Sequence, residues 1–233
     1  GRDIKMDDKR VEGYRNFATK LWNAARFCQS NGIGASTTLR APDAQLAVNK
    51  WIIGEVVECQ ARLDKAFAEF RFDGMADAIY HFTWGTFCDW YLELIKPAFV
   101  GDEKQEMDVE SKAVAGWVLD QILVMLHPFM PFITEELWHA MADAATPRNY
   151  DLILAKWPEP KADLDHAAVA EINWLIQLVT AVRSVKNELG IAPGTRLNAF
   201  VRDASTETLA GIERQMAAIA KQARLESVST DIA

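Results

Sequence analysis

The sequence predicts a mainly α fold, with a helical bundle over residues 1–147 and a small α+β module over residues 148–233. Three observations predict it. Apolar residues recur every three or four positions through long stretches as far as Met141. Pro and Gly interrupt those stretches at intervals suited to helices. After Pro147 short alternating runs appear between helical stretches.

The first helix is expected from Asp7 to Ser30. Val11, Tyr14, Phe17, Ala18, Leu21, Trp22, Ala25 and Cys28 carry its apolar spacing. Asp7 or Asp8 can cap its start, and Asn31-Gly32 can end it. A loop follows from Gly32 to Arg40. Pro42-Asp43 opens a second helix, which runs to about Phe70. A third spans about Met75 to Ile95 and stops before Pro97. An acidic linker, Gly101 to Asp108, leads into a fourth helix that ends near His127. Pro131 suits the first position of a fifth, with Glu135 and Glu136 near its positive end. Tyr150 to Trp157 reads as a short strand. A long helix then runs from about His166 to Leu189, with Gly190 as its cap. Leu197 to Arg202 alternates as a strand, Thr206 to Ala223 is helical, and Leu225 to Val228 suits a last strand.

Composition excludes several classes. Half of the 233 residues are apolar and a quarter charged, as in ordinary globular proteins. No apolar run reaches the roughly 18 residues that a membrane span needs. The start, Gly1-Arg2-Asp3-Ile4-Lys5, is charged, shows no signal-peptide pattern and lacks a methionine, so an excised fragment is expected. The three cysteines, Cys28, Cys59 and Cys88, are far apart in apolar stretches and read as buried free thiols in a reducing, cytoplasmic setting. The net charge is −8, yet residues 1–30 and 181–225 each carry more Lys and Arg than Asp and Glu. Surface charges are screened beyond about 10 Å, so a local cationic face can still meet a polyanion.

One such face lies on the first helix. Its apolar arc centres near Ala18 and Leu21. The opposite positions are Lys9, Gly13, Asn16, Lys20, Asn23 and Phe27, a continuous stripe at steps of three or four. The stripe holds two cations, two amides, a glycine and an aromatic, with no acid. Those groups suit single-stranded RNA: Lys for phosphate, Asn for base edges, Phe for stacking. A solvated helix face is also polar, so the inventory by itself leaves both interpretations open.

Four blocks narrow the choice. They are EGYRNF with KLWNAARF in residues 12–27, FCDWYLELIKP in residues 87–97, HPFMPFITEELW in residues 127–138, and RSVKNELGIAPG in residues 183–194. Together with Gly1 to Ile4 they resemble, in order, the anticodon-binding region of the valyl-tRNA synthetase family. The third block is shared with leucyl and isoleucyl relatives; the first favours the valyl family. The resemblance implies a tRNA-binding piece of an enzyme that ligates valine to tRNA-Val. It implies anticodon contacts from Lys9, Lys20 and Phe27, to which the stripe adds Asn16 and Asn23. The family's HIGH-type and KMSKS-type signatures are missing. No catalytic residue is therefore expected here, and the piece is expected to be inactive alone. ATP and Mg are assigned to a missing catalytic domain of the same chain. The piece is expected to begin after the KMSKS segment and to end before a C-terminal coiled coil. The expected partners are tRNA-Val and that domain, with no membrane and a monomeric state. The alternative is a free-standing helical bundle that binds proteins.

Other clusters read as structural. The aromatics from Tyr80 to Tyr91 suit a core, with His81 expected to be partly buried. His127 and His139 lie near Glu135 and Glu136 without HExxH spacing, so no metal is expected. Asp89 and Glu93 read as a solvated or ion-paired face. Arg183 and Lys186 are the candidates for a secondary tRNA contact, solvated surface or an interface to the missing domains being the other interpretations. Exposed apolar patches are expected where the missing domain docks.

Overall fold

The computed structural model describes residues 7–36, 38–100 and 102–229. The Gly1 to Ile4 block, Gly101 of the linker and the last residues, 230–233, lie outside them. The chain divides into two compact units between Asp165 and His166. The fold is mainly α, as the periodicity predicts.

In the first unit, α1 (Asp8–Ser30) is capped by Asp7, whose carboxylate accepts the Lys9 N–H at 3.0 Å. Asn31 closes it, and Gly32 turns the chain at φ 71°. Helix α2 (Ala47–Ala68) starts later than Pro42-Asp43 predicts. Its cap comes from elsewhere: the Glu110 carboxylate accepts the Leu46 N–H and the Asn49 side chain, each at 2.9 Å. Helix α3 (Phe72–His81) passes into a π-helical segment (Phe82–Tyr91) and a closing turn (Leu92–Leu94). A two-residue-per-strand hairpin follows, β1 (Phe99–Val100) against β2 (Glu103–Lys104), where the sequence predicts only a linker.

Helix α4 (Val109–Leu126) is the central element. Val114, Trp117, Val118, Leu119, Ile122, Leu123 and Met125 are all fully buried, so apolar residues surround its axis. A Cβ on Gly116 would lie 2.4 Å from the Gly34 carbonyl oxygen, so only glycine admits the loop after α1 this close. Asn49, Tyr91 and Ser111 form a buried polar knot: the Tyr91 hydroxyl donates to Asn49 at 2.8 Å, and Asn49 donates to Ser111 at 3.1 Å. Pro131 opens α5 (Pro131–Ala140), as expected.

The segment after Pro147 belongs to the first unit rather than to a separate module. Arg148 and Asp120 form a buried bidentate ion pair at 2.8 and 2.6 Å, and Asp120 also accepts the Ser36 N–H. Arg148 lies flat on Trp138, 3.4 Å from the ring centre. The strand expected over Tyr150 to Trp157 is absent; Leu152–Leu154 forms a single 3-10 turn. The reason is that its backbone donors are already taken. The Glu135 carboxylate takes the N–H groups of Leu152 at 2.7 Å and Ile153 at 3.1 Å, leaving no ladder to complete.

The second unit is a long helix and a β-α-β element. Helix α6 (His166–Glu188) precedes β3 (Leu197–Phe200), α7 (Thr206–Ala223) and β4 (Leu225–Ser229). The strands pair in parallel, Leu197 opposite Leu225 and Phe200 opposite Ser229, with α7 as the crossover. Ser205 caps α7, and Arg224 ends it in the left-handed region at φ 54°.

Candidate nucleic-acid interface

Helix α1 buries Phe17, Leu21, Ala24, Ala25 and Cys28. Val11 and Tyr14 stay open at 51% and 64%, so the buried seam is rotated about 50° from the arc centred on Ala18 and Leu21. The stripe therefore flanks the seam instead of lying opposite it. Lys9, Gly13, Asn16 and Asn23 face solvent, while Lys20 and Phe27 are half-buried. Nothing lies near Gly13, so the backbone there is open to close approach.

The flanking position gives Lys20 a neighbour that the sequence did not indicate. Its ammonium donates to Asp89 at 2.6 Å and stands 5.5 Å from the Trp84 ring centre. Trp84 and Asp89 are five residues apart. In an α-helix they would diverge by about 140°, but a π-helical turn closes at i+5 and brings both onto one side. The π segment thus places a ring and a carboxylate against one cation. Burial alone would lower the Lys20 pKa; the Asp89 hydrogen bond and charge outweigh it and raise the pKa above 10.5. The stripe has no acid of its own, yet an acid leans on its middle.

Phe27 sits further along, with the Lys96 ammonium 5.7 Å from its ring centre and Glu93 paired with that lysine. The Asn31 amide nitrogen donates to the Phe27 carbonyl at 2.8 Å, and its oxygen accepts from Lys104, also at 2.8 Å. Lys112 reaches the next residue: a Cβ on Gly32 would lie 3.7 Å from its ammonium. The neighbours that sequence reasoning missed are Trp84, Lys96, Lys104 and Lys112. All come from other elements, so spacing on α1 carries no trace of them.

The remaining candidates take structural places. Lys186 is only 5% exposed and donates to the carbonyls of Thr195, Ala223 and Arg224 at 2.5, 3.5 and 3.4 Å. It ties the end of α7 to the loop before β3, so it offers no open face for a tRNA contact. Arg183 remains exposed while its guanidinium holds the Gln222 carbonyl at 2.8 and 3.1 Å. His81 is exposed and sits 3.3 Å from Asp77, not partly buried as expected. The aromatic residues around it do build the core: Phe82, Phe87 and Tyr91 are buried.

His127 pairs with the Thr134 hydroxyl at 2.8 Å, the corner packing that the prolines suggest. His139 lies 3.1 Å from Glu135 and 3.2 Å from Asp151, a surface trio with ligand-type atoms within 4.8 Å of one another. Glu135 in that trio is already engaged by the 3-10 turn. The three thiols are buried, and burial pushes each up to about 12. Among the described residues no helix is long and apolar enough to cross a membrane.

Comparison with known proteins bears on this geometry. Residues 49–201 match the family model described as the anticodon-binding domain of tRNA ligase. That match starts beyond α1, but relatives cover α1 as well. A valine–tRNA ligase from Rhizorhabdus wittichii is 59% identical over 227 residues, 97% of this chain and 25% of that protein. One from Sphingopyxis alaskensis is 54% identical over 265 residues, 99% of this chain and 27% of that protein. One from Zymomonas mobilis is 48% identical over 236 residues, all of this chain and 26% of that protein. The chain thus spans about a quarter of the length of these relatives. With more than half of its residues inside the family match, the chain belongs to the anticodon-binding domain family of tRNA ligases.

Proposed function

We propose that this chain is the tRNA-Val-binding region of a valine–tRNA ligase and that α1 meets the anticodon. One observation carries the proposal: a solvent-open stripe of Lys9, Gly13, Asn16 and Asn23 leads to the half-exposed ring of Phe27. In this reading Phe27 stacks on an anticodon base, the two asparagines read base edges, and Lys9 and Lys20 meet phosphate. Lys20 does so beside Asp89, which tempers its charge and fixes its direction. The complete protein would join valine to tRNA-Val in the cytoplasm. ATP and Mg would act in the part of the relatives that this chain does not span. The catalytic domain in that part is the chain's second proposed partner. The exposed apolar flank of α1, Val11, Tyr14 and Trp22, favours a protein contact on the side away from the stripe.

The test is a titration of the anticodon stem-loop of tRNA-Val. Phe27→Ala should weaken binding by the worth of a stacked base, about 1–3 kcal/mol, or roughly five- to 150-fold. In the complete ligase the same change should spare valine activation. Equal losses in tRNA use and in valine activation would show that Phe27 only holds the fold. ATP–pyrophosphate exchange by the 233-residue chain itself would overturn the assignment of catalysis to another domain.

A further inference from the structure

Three lysines from three different places converge on the last turn of α1. Lys96 follows the π segment and covers Phe27, Lys104 of β2 donates to Asn31, and Lys112 of α4 reaches Gly32. In sequence they lie in an acidic region, beside Glu93, Asp102, Glu103, Glu106, Asp108 and Glu110. Folding turns three of these acids to other contacts or faces. Asp108 caps α4 through the Ser111 N–H, and Glu110 holds Leu46 and Asn49. Glu103 precedes Lys104 in a strand, so the two side chains leave by opposite faces.

The carbonyl end of α1 attracts cations, but it is worth only about half an elementary charge. Three ammonium groups exceed that several-fold. Lys96 is offset by Glu93, whereas among the described residues Lys104 and Lys112 have no carboxylate partner. An open cleft of about 760 Å³ lies beyond Gly32; Lys112 and Arg40 line it together with Asp43 and Asp143, and among the described residues no ion pair joins them. The positive charge that no ion pair takes up therefore lies at Lys104 and Lys112, beside Asn31 and Gly32, one helical turn, or about 6 Å, past Phe27. The middle of the stripe, by contrast, is tempered by Asp89.

We infer that Lys104 and Lys112 form a phosphate-binding edge that carries the RNA backbone off the C-terminal end of α1, past the base stacked on Phe27. This inference rests on the proposed RNA-binding role of α1. It adds two contacts from β2 and α4 that extend the binding surface beyond the stripe.

Salt dependence tests it. With a labelled anticodon stem-loop of tRNA-Val and the 233-residue chain, log affinity is followed against log salt. Each lost phosphate contact on single-stranded RNA removes about 0.7 from the slope, or roughly five-fold in affinity at 0.1 M salt. The double variant Lys104→Gln, Lys112→Gln should therefore lose about 1.4 in slope. Lys104→Arg with Lys112→Arg should retain it, and Glu103→Gln should leave it unchanged. Intact binding with an unchanged slope in the double Gln variant would overturn the edge and leave the α1 contact standing. A slope lost in the Arg variant as well would make the lysines structural and overturn it too. No binding by the wild-type chain at low salt would overturn both.

Discussion

Asp89→Asn is the change that separates a cation held for RNA from one held for the fold. The Asp89 oxygen lies 2.6 Å from the Lys20 ammonium, with both side chains about one-third to one-half exposed. A phosphate on the far side of Lys20 would stand roughly 5.4 Å from that oxygen, adding one ordinary charge-assisted bond length. In water-like surroundings the repulsion between two unit charges at this distance is about 0.8 kcal/mol, and physiological salt halves it to about 0.4. Removing the carboxylate should therefore tighten RNA binding two- to four-fold. It should also steepen the salt slope by up to about 0.7, because Lys20 then releases a full counterion. Stability should fall by no more than about 1 kcal/mol, the usual worth of an exposed pair. Fluorescence anisotropy of a labelled stem-loop at several salt concentrations measures the first two quantities, and urea unfolding the third. A folded variant that binds RNA more weakly would refute this account, because Asp89 would then be a contact or an aiming group. An unchanged slope would mean that Lys20 meets no phosphate.

Two further predictions concern the scaffold that holds the interface. Arg148→Met strands the buried Asp120 carboxylate, whose pKa burial already pushes up while the Arg148 bonds pull it back. The loss should be about 3–5 kcal/mol, lowering the urea midpoint of the first unit by about 1.5–2.5 M at a slope near 2 kcal/mol/M; a loss below 1 kcal/mol would show the pair to be dispensable. Burial raises the Glu135 pKa, but the Leu152 and Ile153 N–H groups outweigh it and hold it below 4.5. A carboxyl lowered in the folded state adds stability above its unfolded value and loses it as pH falls through the folded one. Acid weakening below about pH 4.5 should thus be shallower in Glu135→Gln, and identical acid profiles would remove Glu135 from that transition.

These perturbations fall on contacts of different legibility. The bounds of α1 and α7 could be read from the chain because their caps are local: Asp7, Asn31-Gly32 and Ser205 each act within three residues. The start of α2 and the 3-10 turn could not, because Glu110 and Glu135 satisfy those backbone donors from far along the chain. The stripe itself was legible, since any helix repeats its faces. Its angle to the core was not. Val11, Tyr14 and Trp22 are apolar yet exposed, so averaging over apolar residues tilted the predicted seam toward them. The candidate contacts on α1 still share one line, whichever way the line is rotated. Their neighbours did not follow from spacing at all.

The same distinction resolves the chain's net charge of −8. Sequence position mixes Lys96, Lys104 and Lys112 with twice as many acids between Glu93 and Lys112, and the sum there is negative. Screening over about 10 Å means that a phosphate answers only to the charges that folding places beside it. The π segment sets Asp89 against Lys20, and the hairpin and α4 bring Lys104 and Lys112 to Asn31 and Gly32. On the proposed reading, an acidic chain thus presents a polyanion with a graded path: an open cation at Lys9, a tempered one at Lys20, and the inferred edge beyond Phe27. That gradient belongs to the packing of α1 against its neighbours. Substitutions in β2 or α4 can therefore alter RNA binding without touching the helix proposed to read the anticodon.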